Sequence, residues 1–151
     1  MFFGTAIALL YKGRPESIAL KNDTILIVDD SKTIALAYSS LLTGLGYRVL
    51  IACDGKTGIF AAESCNPSLI LLDMLMPDMD GVAVLRTLKR NSCTSQIPVI
   101  AISSLSRKNA GKLIEAGAAA YCEKGEITEG KLEAAISEVF KKRPLVPDKL
   151  Q

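Results

Sequence analysis

A doubly wound α/β fold, a five-stranded parallel sheet between two helical layers, is what this sequence predicts. Two observations carry the prediction. Five short apolar runs alternate with five segments of helical spacing between residues 24 and 141. The runs show little in-and-out alternation, which marks strands buried on both faces, as in parallel sheets covered by helices.

Each element follows in turn. Thr24–Val28 is a β-branched strand closed by Asp29 and Asp30. Ser31–Thr43 carries Ile34, Leu36, Ala37, Leu41 and Leu42 at mostly helical spacing, and Gly44 and Gly46 stop it. Tyr47–Ala52 is the second strand, Asp54-Gly55 a turn, and Thr57–Ser64 a helix ending near Asn66-Pro67. Ser68–Leu72 is the third strand, and Gly81–Arg90 a helix with Val84, Leu85 and Leu88 inward. Pro98–Ile102 is the fourth strand, and Arg107–Ala116 a helix ended by Gly117. Ala119–Cys122 is a short fifth strand. Ile127–Lys141 closes the series, with Leu132, Ala135, Ile136, Val139 and Phe140 on one helical face.

The domain so defined spans residues 23–142, with an extension, 1–22, before it and a polar tail, 143–151, after it. Met1–Tyr11 is mostly apolar, yet shorter than the roughly 20 residues that cross a bilayer. Lys12 and Arg14 follow it rather than precede it, the wrong order for a signal peptide. We expect it to dock on the body as an extra strand or helix, joined by a linker broken at Gly13 and Pro15. No membrane association is expected.

Composition narrows the function classes. Lys plus Arg is 18 and Asp plus Glu 16, too balanced to suggest a nucleic-acid or anionic-membrane surface. With no histidine in the chain, His-based acid/base catalysis, His metal ligation and phosphohistidine on this chain are excluded. Cys53, Cys65, Cys93 and Cys122 form no C-x-x-C pair, which argues against zinc. They read as reduced thiols of a cytoplasmic protein.

Ligands of open α/β sheets bind outside the carboxyl ends of the strands. There the chain places Asp29 and Asp30 after strand one, Asp73 after strand three, Ser103 after strand four and Lys124 beyond strand five. Each has an ordinary reading alone: a helix cap for Asp30 or Ser31, a turn for Asp73, a strand end for Ser103, a solvated lysine for Lys124. Together they are harder to dismiss. Three carboxylates at one edge raise each other's pKa, and a divalent cation removes that penalty. Oxygen ligands without His or thiolate favour Mg²⁺, which keeps open positions for a phosphate. Ser103 and Lys124 would then supply a hydrogen bond and a charge to phosphoryl oxygens, the chemistry of phosphoryl transfer.

The residues that carry this chemistry also carry a resemblance. Ile27-Val28-Asp29-Asp30-Ser31, Leu72-Asp73-Met74-Leu75-Met76-Pro77-Asp78-Met79-Asp80-Gly81, Pro98-Val99-Ile100-Ala101-Ile102-Ser103 and Gly117-Ala118-Ala119-Ala120-Tyr121-Cys122-Glu123-Lys124 occur in this order. Over residues 23–142 the chain resembles the receiver domains of two-component response regulators, chemotaxis-regulator-like in kind. The resemblance implies a flavodoxin-like (βα)5 sheet of strand order 2-1-3-4-5. It implies Asp73 as the phosphoacceptor and Mg²⁺ as the cofactor, held by Asp29, Asp30, Asp73 and the backbone carbonyl of Leu75. It implies Ser103 and Lys124 as the groups that bind the phosphoryl oxygens, and Ser103 and Tyr121 as a switch pair. Pro77, Asp80 and Gly81 look structural, a turn and a helix start. Two residues depart from the family pattern. Gly125 stands where Pro is usual, which predicts a trans bond after Lys124. Ser104 stands where a smaller residue is usual, which predicts slower loss of the phosphoryl group.

The function implied is a signalling receiver, not an enzyme beyond its own phosphorylation and dephosphorylation. A sensor histidine kinase or phosphotransfer protein would be its donor. An output protein or domain would respond to the surface of the fourth helix, fifth strand and fifth helix. Monomer and phosphorylation-dependent dimer both fit the family. Two other readings compete with this one. One is a degenerate receiver used as a phosphorylation-independent binding scaffold. The other is a small Mg²⁺-dependent phosphatase, whose acidic pair would be spaced by a residue, whereas Asp29 and Asp30 are adjacent.

Overall fold

A computed structural model of the chain describes residues 22–104 and 107–143. The expected extension up to residue 21 and the tail from residue 144 lie outside these residues. Among the described residues there are five strands: β1 Thr24–Val28, β2 Arg48–Ala52, β3 Leu69–Asp73, β4 Val99–Ser103 and β5 Ala120–Glu123. They form one parallel sheet of order β2-β1-β3-β4-β5. The helices are α1 Lys32–Gly44, α2 Gly55–Cys65, α3 Gly81–Arg90, α4 Ala110–Glu115 and α5 Glu129–Lys141.

Two cores flank the sheet. On one face Ala35, Tyr38 and Leu42 of α1 meet Leu132, Ile136 and Val139 of α5 over Ile25, Ile27, Leu69, Leu71, Ile100 and Ile102. On the other, Ala62, Val84, Leu85, Leu88 and Leu113 from α2, α3 and α4 cover Leu26, Val28, Ile70, Leu72, Val99 and Ala101. The alternation of these sets along β1, β3 and β4 is the two-residue period of a strand with both sides covered. The expectation of full burial holds for β3 and β4, and for β1 apart from its first residue, and fails at the edges. Arg48 and Ile51 of β2 are exposed and all of β5 is only half-buried, because each edge strand has one neighbour.

Helix boundaries differ from the expected ones where capping decides them. Asp54-Gly55, expected as a turn, is instead the cap and first residue of α2: Thr57 N–H donates to Asp54 Oδ1 at 2.7 Å. Thr128 accepts from Lys131 N–H and starts α5 two residues later than the apolar pattern suggests. The helix expected over Arg107–Ala116 is a 3-10 turn, Arg107–Asn109, followed by the short α4. Asn109 makes no side-chain cap there. Gly117 at φ +113° ends that segment as expected. No peptide bond among the described residues is cis, so Gly125 follows Lys124 in trans as expected.

Strand order reverses between β1 and β3, which opens the crevice at their carboxyl ends. The register pairs Val28 with Leu72, so the next residues, Asp29 and Asp73, stand side by side on strands about 4.8 Å apart. Asp73 is paired with Ile102, and Ser103 with Glu123.

Candidate functional site

Asp29 directly follows β1. Its N–H donates to Ala52 O at 3.1 Å, and its Oδ1 accepts from Ser31 N–H at 2.9 Å. That short side-chain turn lets Ser31 cap α1 through Ile34 N–H. Asp29 is 1% exposed and Asp73 2%, whereas Asp30 is open to solvent. One carboxylate oxygen from each of Asp29, Asp30 and Asp73 lies within 4.8 Å of the others.

Asp73 is the last residue of β3. Its Oδ1 accepts from Leu75 N–H at 3.1 Å, and its Oδ2 from Lys124 Nζ at 3.3 Å. Lys124 Nζ also stands 3.8 Å from Asp29 Oδ2. That is ion-pair range but beyond a hydrogen bond, and Asp29 Oδ2 is buried with no hydrogen-bond partner. Burial pushes the Asp73 carboxyl above its ordinary pKa and the Asp29 charge adds to this, while Leu75 N–H and Lys124 pull it back. The same environment reaches Tyr38 of α1. Burial first, then Asp29, Asp73 and Cys122, push its phenol up to about 12.

Asp29, Asp30, Asp73 and Lys124 therefore gather at one edge. Lys124 reaches both buried carboxylates. Ser103 is buried at the end of β4 and has the strand parity of Val99 and Ala101, facing the α2–α4 layer. Tyr121 of β5 is half-buried on that same layer. It lines an open cavity of about 370 Å³ with Ala110, Cys122, Glu123, Glu126 and Ile127, on the face shared by α4, β5 and α5. Asp29, Asp73 and Lys124 thus form one electrostatic unit, with Ser103 and Tyr121 on the opposite side of the sheet edge.

The loop Met74–Asp80 frames the site. Met74 N–H donates to Ile102 O, and Gly81 N–H returns to Met74 O at 3.3 Å. A Cβ on Gly81 would stand 2.5 Å from Met74 Cα, so this closure demands glycine. Asp80 caps α3 through Val82 N–H, as its place in the sequence predicts. Sequence reasoning missed two features. One is Tyr38, which no motif in the sequence singles out. The other is Asp78, whose Oδ2 accepts from Gly55 N–H at 3.0 Å across 23 residues. No local pattern marks such a long-range bond.

The acidic set suits a hard cation. It offers oxygens only, it leaves a buried carboxylate oxygen unsatisfied, and all four cysteines are free thiols away from it in sequence. Among the described residues no helix is long and apolar enough to cross a membrane.

Comparisons with known proteins bear on the family and the fold. The model of the response regulator receiver domain matches residues 25–137. The chain is 37% identical over 119 residues to a gliding motility regulatory protein of Myxococcus xanthus, covering 78% of this chain and 15% of that one. It is 39% identical over 101 residues to the response regulator PleD of Caulobacter vibrioides, covering 66% and 22%. It spans, then, less than a quarter of either relative. Among solved structures, the Francisella response regulator 1452 receiver domain superposes with a TM-score of 0.74 at 27% identity, covering 82% of this chain and all of that one. With the fold, the strand order and the family match in agreement, the chain belongs to the response regulator receiver domain family of two-component signal transduction.

Proposed function

We propose that this receiver is a phosphorylation-driven switch in which Asp73 is the phosphoacceptor. The carrying observation is the trio of carboxylates whose oxygens lie within 4.8 Å, one of them buried and unsatisfied. Asp29, Asp30, Asp73 and the carbonyl of Leu75 would hold Mg²⁺. When bound, the cation supplies charge neutralisation for an incoming phosphoryl group. An Asp73 oxygen attacks phosphorus, the bond to the donor's imidazole nitrogen breaks, and that nitrogen takes up a proton. Hydrolysis later returns the carboxylate and inorganic phosphate.

Lys124 already donates to Asp73 Oδ2, so it is in reach of a phosphoryl group built on that residue. Ser103 would donate its hydroxyl to a second phosphoryl oxygen. That movement gives Tyr121 room to turn inward, reshaping the α4–β5–α5 face against a partner or output domain. The donor is a sensor histidine kinase or phosphotransfer protein, and the place of action the cytoplasm, where thiols such as the four free ones stay reduced. Intact mass after incubation with acetyl phosphate, with and without Mg²⁺ and beside Asp73→Asn, tests this. A Mg²⁺-dependent gain of one phosphoryl group, absent in the variant, is expected. No gain from acetyl phosphate, nor from a histidine-phosphorylated donor, would overturn it and leave a binding scaffold.

A further inference from the structure

The loop that carries Leu75 is anchored at its base by the Met74 and Gly81 bonds, but its middle is exposed. Leu75 is 49% exposed, and Pro77 and Asp78 are exposed too. Met76 and Met79 pack only partly against the α2–α4 core. The polar tie from this middle to another element runs from Gly55 N–H to Asp78 Oδ2 at 3.0 Å.

Gly55 is the first residue of α2, so its N–H is one of the donors a helix start leaves without an internal partner. The positive end of α2 favours the carboxylate that takes it. The contact is also sterically tight. A Cβ on Gly55 would stand 2.9 Å from Val84 Cγ2 and 3.0 Å from Met79 Cβ. Its first residue therefore packs directly on the loop and on α3.

The same corner reaches the other side of the site. Ala52, the last residue of β2, accepts the N–H of Asp29 at 3.1 Å. Residues 52–55 thus bridge two loops by hydrogen bonds: one bears Asp29 and Asp30, the other Leu75.

We propose that Asp78 is a positioning residue for the cation site: through Gly55 N–H it holds the Leu75 loop at its distance from Asp29 and Asp30. This rests on the Mg²⁺ reading above. A six-oxygen cation demands near-ideal geometry, so a loop free to drift weakens binding although no ligand has been removed.

The test compares wild type with Asp78→Ala and Asp78→Asn. Mg²⁺ affinity is read by calorimetry, and amide exchange at Gly55 and Leu75 by NMR in metal-free buffer. Asp78→Ala is expected to weaken Mg²⁺ about tenfold, the low end for losing an outer partner of a ligand. It should also speed exchange of Gly55 N–H. Asp78→Asn keeps an acceptor oxygen and should bind within about twofold of wild type.

An Asp78→Ala protein that binds Mg²⁺ as wild type does would overturn the proposal. So would Asp78→Asn binding as weakly as Asp78→Ala, since the effect would then be charge rather than position. Wild type that binds no Mg²⁺ would overturn the underlying reading, and the positioning role with it.

Discussion

Lys124→Met is the perturbation that tests the electrostatics of the site most directly. Methionine keeps the aliphatic stem and removes the charge. The ammonium stands 3.3 Å from Asp73 Oδ2 and 3.8 Å from Asp29 Oδ2, and both carboxylate side chains are 2% exposed. At an effective dielectric near 20, charges at such distances attract by about 4–5 kcal/mol each before desolvation. Desolvation offsets most of this. Lys124 is itself 23% exposed, so solvent screens part of the rest. Removing one partner of a buried pair costs about 3–5 kcal/mol. With screening, and with Asp73 able to take a proton instead, about 1–3 kcal/mol is the expected loss in metal-free buffer at pH 7. The chain has no tryptophan, so urea unfolding is followed by circular dichroism. With a slope of about 2 kcal/mol per molar, the midpoint should fall by about 0.5–1.5 M. Two controls separate charge from packing. Below the ordinary carboxyl value of 3.8, where Asp73 holds its proton in the folded and the unfolded chain alike, the loss should shrink. It should shrink again in Mg²⁺, because the removed ammonium repels a cation held by the same oxygens. A loss of equal size below pH 3.8 and at pH 7, and with and without Mg²⁺, would refute the reasoning.

Three further outcomes follow from the same geometry. Asp73→Asn should stabilise the metal-free protein at pH 7 by about 1–2 kcal/mol, the order of a buried polar group left poorly compensated. The sign is set by the raised carboxyl: its neutral form is the one the fold favours, so that contribution is complete below the ordinary value of 3.8 and is lost as pH climbs through the raised one. The gain should vanish in urea titrations below pH 3.8, and a variant less stable than wild type at pH 7 would contradict it. Tyr38 should ionise near pH 12, a late step in the ultraviolet titration that Tyr38→Phe removes. Its stabilising contribution is complete below pH 10 and falls as pH rises through about 12. Gly81→Ala would place a Cβ 2.5 Å from Met74 Cα and 2.8 Å from Met74 O, both backbone, and should cost about 2–3 kcal/mol in urea unfolding. A change under about 0.5 kcal/mol would mean that the loop yields.

The layered fold was legible because continuous runs such as Leu69–Leu72 leave no solvent face, and that excludes an exposed antiparallel sheet. Strand ends were legible to a residue, since charged groups such as Asp29 and Lys124 stop an apolar run. Helix starts were less so. Asp54 and Thr128 cap helices through bonds to Thr57 and Lys131, and such residues serve turns equally well. The 3-10 turn before α4 was invisible because Arg107–Ala116 has helical composition, but Asn109 provides no cap there. At the site, side chains next to strand ends were predictable from topology alone. The Asp78–Gly55 bond was not, because it depends on how loops from two different βα units meet. Nor was the phenol of Tyr38, whose register on α1 resembles any core position.

That unfinished electrostatics is itself informative. A fully satisfied network would give Asp29 Oδ2 a donor and Asp73 a cation of its own. Here Oδ2 has no hydrogen bond and one ammonium is divided between two carboxylates. A ligand shifts an equilibrium only by its difference in affinity for two states. Under the proposed function, Lys124 Nζ, 3.3 Å from Asp73 Oδ2, turns to the phosphoryl group, and the buried Ser103 brings its hydroxyl to a second phosphoryl oxygen. Modification therefore engages the ammonium and the hydroxyl together. Ser103 follows Ala101, the register partner of Tyr121, by two positions, so its movement alters the packing there, whereas the three carboxylates stand at the ends of β1 and β3. Cation binding alone should thus leave the Tyr121 ring environment nearly unchanged, and phosphorylation should alter it. Aromatic NMR shifts of Tyr121 in the two states would read that difference, and an equal change in both would show that the two sides of the edge do not act separately.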